Sequence, residues 1–303
     1  MASVDLKSRQ RSPRKTESPV KQLLKQPLGT DEFSVRLPSD KKTCSITGSA
    51  FLPDDKLVVA DATNKKIKLF SADLKSIAHL ETQTAPRDVT TMSNTEIACT
   101  LPNDRTVQVI HVGKTMTVSK SFKLDVECYG ICYHDNAFYI TSGWSTDKEV
   151  QIMDTEGVVQ QKLRPEKGIL RCPLYVTVDG KLDHIYVSDY ETGIVGMDML
   201  GNVTFKFSDT ETKGFMGICS SPQGEVFICT LQPNGISRVQ TETNRVYGSI
   251  TTLNEPELEP VISLPTFNKG GQRPRSIAFS RKSQKILVSY VGQSVDMMNI
   301  YHF

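Results

Sequence analysis

Residues 66–70 (Lys-Ile-Lys-Leu-Phe) alternate apolar and polar side chains at period two. They follow an apolar, β-branched run at 56–60 and a polar turn at 61–64. Two such runs joined by a polar turn predict a β-hairpin. The unit recurs. Its second strand ends at Val59-Ala60-Asp61, Ala98-Cys99-Thr100, Ile140-Thr141-Ser142, Val187-Ser188-Asp189, Ile228-Cys229-Thr230 and Val288-Ser289-Tyr290, at intervals of 39, 42, 47, 41 and 60 residues. Before each lies a short strand with small residues (45–50, 88–91, 130–133, 175–178, 216–219, 276–279). After each lies an alternating third strand (66–70, 106–110, 149–153, 194–198, 235–239, 295–301), and in most copies a more polar fourth, such as 118–124 or 203–207. A small sheet cannot bury both of its own faces, so repetition requires the copies to stack on one another.

Six copies of four strands predict an all-β, six-bladed propeller, which leaves only short, protected sheet edges. The sixth copy ends at Phe303 with no residues for a fourth strand, and the isolated alternating stretch 33–37 is the strand expected to fill that slot. The long fifth interval places an acidic, Pro-bounded surface loop at 254–260, before a strand at 261–264. Residues 30–303 are read as the propeller and residues 1–29 as a disordered basic tail, rich in Ser, Pro, Lys and Arg and too poor in apolar residues to offset ordering entropy. Its Ser12-Pro13 and Ser18-Pro19 pairs, candidate phosphorylation sites beside basic residues, are read first as features of an exposed linker.

Charge divides along the same boundary. Residues 1–29 carry seven Lys/Arg against Asp5 and Glu17, a net of +5, whereas residues 30–303 hold 29 basic and 32 acidic side chains, a net of −3. No apolar run approaches the length of a membrane span, and no apolar segment follows the basic start as in a secretory signal. The seven cysteines fall mostly inside apolar strands, the pattern of reduced, buried thiols in a cytoplasmic or nuclear protein.

The pattern Asp61-x-x-Asn64-x-x-Ile67-x-Leu69-Phe70, together with the openings Tyr129-Gly130-Ile131 and Phe215-Met216-Gly217-Ile218, resembles the NHL repeat. From about residue 30 the chain is similar to the C-terminal propeller of tripartite-motif-type proteins, particularly the divergent invertebrate ones. The resemblance implies a recognition module, in some members RNA-binding, and often attached to a RING and B-box ubiquitin-ligase front end. There is no Cys-x-x-Cys here and every cysteine lies at or after residue 44, so ligase chemistry does not carry over to this chain.

Other chemistry finds little support in the residues. Cys128-x-x-x-Cys132-x-His134 lacks zinc-site spacing and a second ligand pair. Asp61 and Asp189, at equivalent turns, are read as acceptors for backbone N–H groups. A calcium-dependent lactonase or esterase would need several oxygen ligands converging in the channel, and the expected inner strands offer Asp88 as their only carboxylate and no histidine. No metal, cofactor or catalytic set is therefore assigned.

The remaining constellation lies on loops expected to converge at one face: Arg87, Tyr129, Trp144, Arg171, Tyr190, Phe215, Arg273, Arg275 and Tyr290. Arginines beside aromatics suit an acidic or phosphorylated peptide segment or nucleic-acid phosphates. The sequence thus predicts a non-catalytic module that binds a protein segment, with RNA binding second, since the acidic body lacks a broad basic surface, and calcium-dependent hydrolysis third.

Overall fold

The computed structural model describes residues 27–179, 184–208, 210–240, 257–263, 272–292 and 296–303. They form six four-stranded antiparallel sheets, the blades of a propeller, with one short 3-10 turn at Pro102–Asp104. Blade one is Ile46–Phe51, Leu57–Asp61, Lys66–Phe70 and Ser76–Glu81, paired in that order. The first strands of the other blades are Val89–Thr91, Ile131–His134, Pro173–Asp179, Lys213–Ser220 and Arg273–Ser280. Pairing sets Cys99 opposite Val89 as it sets Val59 opposite Ser49, so the second repeat is anchored one residue later than its sequence suggests. Apolar side chains fill the spaces between blades, as in the cluster of Leu52, Ile67 and Leu69 with Val89, Ile97 and Ile110.

The ring closes between the two ends of the propeller, but with Gly29–Ser34 as the closing strand, paired to Met297–His302 with Phe33 opposite Met298. The expected strand at 33–37 is displaced because its alternation marks burial rather than pairing. Residues 29–32 are exposed and polar, whereas Val35 and Leu37 leave the sheet to enter the core with Phe33, Phe70 and Met298. In blade five, residues 257–260 of the expected loop belong to the outer strand Glu257–Ser263, where Pro260 sits opposite Ser237 at a register shift, a position that tolerates a missing N–H. Residues 254–256, and the expected tail as far as residue 26, lie outside the described residues.

Alternation alone would turn Lys66 and Lys68 to solvent, yet the whole strand Lys66–Phe70 is buried. The connector after the closing strand covers it. The Lys68 ammonium donates to Asp40 at 2.6 Å, Asp61 at 2.7 Å and the Val35 carbonyl at 3.0 Å, and Lys66 donates to Asp40 at 3.0 Å. Asp296 extends the latch, accepting from the Cys44 N–H at 2.7 Å and from Arg36 at 3.0 Å. Buried charges persist only when paired and hydrogen-bonded, and these tie the connector to blade one.

Around the channel, glycines alternate with larger residues in one layer: Gly48, Asp88, Gly130, Tyr175, Gly217 and Ser276 in blades one to six. A Cβ on Gly48 would lie 2.6 Å from the Asp88 Cα, one on Gly130 2.6 Å from the Tyr175 Cα, and one on Gly217 2.8 Å from the Ser276 Cα. Only glycine lets these backbones approach so closely.

Candidate functional site

One residue before that layer stands a second ring: Thr47, Arg87, Tyr129, Leu174, Met216 and Arg275. Hydroxyls at the ends of the second strands brace it. Thr100 accepts from the Asp88 N–H at 3.0 Å and donates to the Tyr129 carbonyl at 2.6 Å. Thr141 accepts from the Gly130 N–H at 2.8 Å, and Ser289 from the Ser276 N–H at 3.0 Å. Register shifts fall at the same level, between Ile46 and Gly48, Pro173 and Tyr175, Phe215 and Ile218, and Pro274 and Ile277. Bulges re-aim side chains, and these turn Tyr175 and Arg275 to the channel.

Tyr175 spans the channel. Its hydroxyl, on blade four, donates to the Thr47 carbonyl on the opposite blade at 2.8 Å. On one flank the Arg87 guanidinium lies 5.0 Å from the Tyr175 ring centroid and 5.8 Å from that of Tyr129. On the other, Arg275 donates to the Ser45 hydroxyl at 2.8 Å. Burial holds the Arg275 guanidinium below its usual range; Arg87 adds like-charge repulsion, and Tyr175 works in the opposite direction. The Nε atoms of both arginines are buried without a hydrogen-bond partner, and among the described residues neither side chain has an ion pair.

The strip continues outward. Tyr129 packs on Gly143, where a Cβ would fall 2.0 Å from its ring, at a φ of +56°. Next to it Trp144, 54% exposed, meets Tyr190, 37% exposed, with ring centroids 6.4 Å apart. Five of the nine expected site residues (Arg87, Tyr129, Trp144, Tyr190 and Arg275) therefore form one surface, with Tyr175 joining the two arginines. Arg171 and Arg273 are exposed and make no hydrogen bond, ion pair or ring contact with the others through their side chains.

Phe215 and Tyr290 do not belong to it. They are 3% and 4% exposed, and the Tyr290 hydroxyl bonds that of Tyr301 at 2.8 Å in the core of blades four to six. Both lie inside strands, Lys213–Ser220 and Lys285–Val291, that run further than their apolar runs suggest. Tyr175 was missed as a site residue; its signal was the alternation of glycine with larger residues along the inner strands.

On the far side of Tyr175 the channel widens into a cavity of about 600 Å³, lined by none of the nine residues. Asp88 sits at its inner end, accepting from the Val89 and Ile131 N–H groups at 2.9 and 3.0 Å. Burial pushes its carboxyl up to about 7, against those hydrogen bonds and Arg87. His134 and Asp135 line the outer part with Arg281 and Lys282, so the inner strand Ile131–His134 does carry a histidine, contrary to expectation. It ends one residue later than its sequence pattern indicates.

Asp61 and Asp189 act as the sequence suggested. Asp189 accepts the N–H groups of Arg171 and Cys172, both at 2.7 Å, and of Glu191 and Thr192. Asp61 accepts from Ser45 and Asn64. Among the described residues the one cluster of three metal-type ligands is Asp40, Cys44 and Asp61, and the Lys68 ammonium already lies among them. All seven cysteines are free. Burial pushes their thiols up, Cys132 to about 11 and Cys99 and Cys128 to about 12, away from the reactive thiolate. No helix among the described residues is long and apolar enough to cross a membrane.

No family model matches the chain, and no curated protein matches it in sequence. Solved structures do resemble it in fold. Virginiamycin B lyase from Staphylococcus aureus aligns with a TM-score of 0.63 at 15% identity, over 91% of this chain and 99% of that one. Hydrazine synthase from Kuenenia stuttgartiensis gives 0.63 at 11% identity, over 85% and 77%. The β-propeller domain of Myceliophteria thermophila Cps50 (Swd1) gives 0.57 at 13%, over 86% and 84%. Two of these names denote enzymes and the third a propeller domain, so at such identities the likeness establishes the β-propeller fold and leaves the activity to the residues of the site.

Proposed function

We propose that the protein is a non-catalytic recognition module that binds a protein segment across the face bearing Trp144, Tyr190, Tyr129 and Arg87. The observation that carries this reading is the exposed Trp144–Tyr190 pair, continuous through Tyr129 with two arginines that have no acidic partner. Aromatics and arginine dominate binding hot spots because they combine large apolar area with directional donors, and a preformed strip spares the ordering cost of a flexible one. The NHL-type reading is supported by blade one, where the motif residues Asp61 and Asn64 close the turn on each other at 2.9 Å. In that reading the module supplies substrate recognition to a ubiquitin ligase assembled from other chains.

The test is selection of peptides from a random library on the full-length protein, followed by titration of the enriched sequences. Trp144→Ala should weaken them at least tenfold with the melting temperature unchanged, because an exposed ring contributes little to the core. Enriched peptides that bind the Trp144→Ala protein as they bind the wild type would refute the reading. So would hydrolysis of a lactone or ester dependent on a stoichiometric calcium ion.

A further inference from the structure

We infer that the neck between Arg87 and Arg275 is a receptor for a phosphomonoester carried on the bound protein segment. This rests on the recognition reading above and specifies the chemistry of its central subsite. Blades two and six present the two guanidiniums from either side of blade one, and the Tyr175 ring forms the floor between them. The Tyr175 hydroxyl is committed to the Thr47 carbonyl, and the Thr47 hydroxyl donates to the Pro86 carbonyl at 3.0 Å. The Asp88 carboxylate is turned to the Val89 and Ile131 N–H groups in the cavity below. With both hydroxyl protons committed, the free donors of the neck belong to the two guanidiniums, which carry two positive charges.

Arginines held over an aromatic ring keep an attractive contact, but buried charges ordinarily find a counter-ion or a full set of hydrogen bonds. Here one nitrogen of each guanidinium, the Nε, is buried with neither. A dianion bearing several acceptor oxygens supplies the missing counter-ion, through the terminal N–H groups of the guanidiniums rather than the enclosed Nε. A side-chain carboxylate neutralises one charge of the two and offers two oxygens where a phosphate offers three. Guanidiniums also match phosphate geometry through paired N–H donors. The segment carrying the phosphate would run outward over Tyr129 to the Trp144–Tyr190 pair.

Trp144 is the single tryptophan of the chain, so intrinsic fluorescence reads this face selectively. Full-length protein is titrated with one capped hexapeptide, enriched on the face, in three forms: with phosphoserine, with aspartate and with unmodified serine at the central position. A short single-stranded oligoribonucleotide is a fourth probe. The phosphopeptide should bind at least tenfold more tightly than the aspartate form. Arg87→Gln and Arg275→Gln should each abolish that preference, Arg87→Lys should retain part of it, and Arg281→Gln at the far rim should leave it unchanged. Thermal melting checks that each variant is folded; Arg87→Lys keeps the test decisive if Arg275→Gln is not. Equal affinity for the phosphoserine and aspartate forms overturns the inference while leaving the recognition face standing. Tighter binding of the oligonucleotide than of the phosphopeptide, or loss of the preference in Arg281→Gln alone, overturns it as well. If peptide binding is also indifferent to Trp144→Ala, the recognition reading fails with it.

Discussion

Replacing Lys68 by Met removes the ammonium that holds the connector to blade one and leaves a side chain of similar length. The Asp40 and Asp61 carboxylates stay buried. Asp40 keeps Lys66 and the Leu37 N–H, and Asp61 keeps the Ser45 N–H and Asn64. Breaking a buried pair by removing one partner costs about 3–5 kcal/mol, because a charge is left uncompensated. In a domain of this size that corresponds to a fall in melting temperature of about 10 °C. The pH response identifies the cause. In the wild type, burial raises the Asp40 carboxyl, but hydrogen bonds from Lys68, the Leu37 N–H and Lys66 outweigh it and bring it down to about 2. A folded-state value below the unfolded one contributes stability that is present above about pH 4 and lost as pH falls through about 2. Without Lys68 the burial effect is opposed by less, both carboxyls rise above their wild-type values, and acidification from pH 7 to pH 5 begins to relieve the variant while the wild type keeps its charges. The stability gap between variant and wild type, read from urea midpoints at the two pH values, should therefore shrink on acidification. A gap below about 1 kcal/mol at pH 7, or one that widens toward pH 5, would refute the latch.

Gly130→Ala should destabilise the protein by about 1–3 kcal/mol and disturb the neck, because the new methyl meets the Tyr175 Cα at 2.6 Å and the Leu174 carbonyl at 2.8 Å; denaturation and the phosphopeptide titration read the two effects. Asp88 carries the opposite pH sign to Asp40. Its carboxyl is raised to about 7, so the stability linked to it is complete below about pH 4 and is lost as pH rises through 7, by up to about 4 kcal/mol. Asp88→Asn should flatten that part of the melting profile between pH 5 and 8, and an unchanged profile would show that Asp88 does not titrate there.

The architecture was legible because period-two alternation and turn chemistry are local, and six imperfect copies reinforce one another. Lys66–Phe70 and Val203–Phe207 fall where the pattern places them. Closure was legible in outline, from a missing strand at one end and a spare at the other. Its register was not, because Val35 and Leu37 alternate for the sake of the core, while the pairing residues 29–32 are polar. The buried lysines were hidden for a related reason: strand alternation cannot show that a connector, itself anchored by Asp296 from the other end of the chain, will cover the polar face. At the site, Arg87 and Arg275 come together because the ring sets blades two and six on either side of blade one. Phe215 and Tyr290 sit at the same edges in sequence, but strand lengths that depend on neighbouring blades draw them into the core.

On the proposed reading, a protein segment is recognised on the face of Arg87, Tyr129, Trp144 and Tyr190 rather than in the cavity on the other side of Tyr175. The most direct measurement is a crystal structure of the full-length protein with a library-selected peptide. Peptide density is expected over the Trp144 and Tyr190 rings, with an anionic group between Arg87 and Arg275. Density confined to the cavity beside Asp88, or on the rim of Arg281 and Lys282, would contradict it.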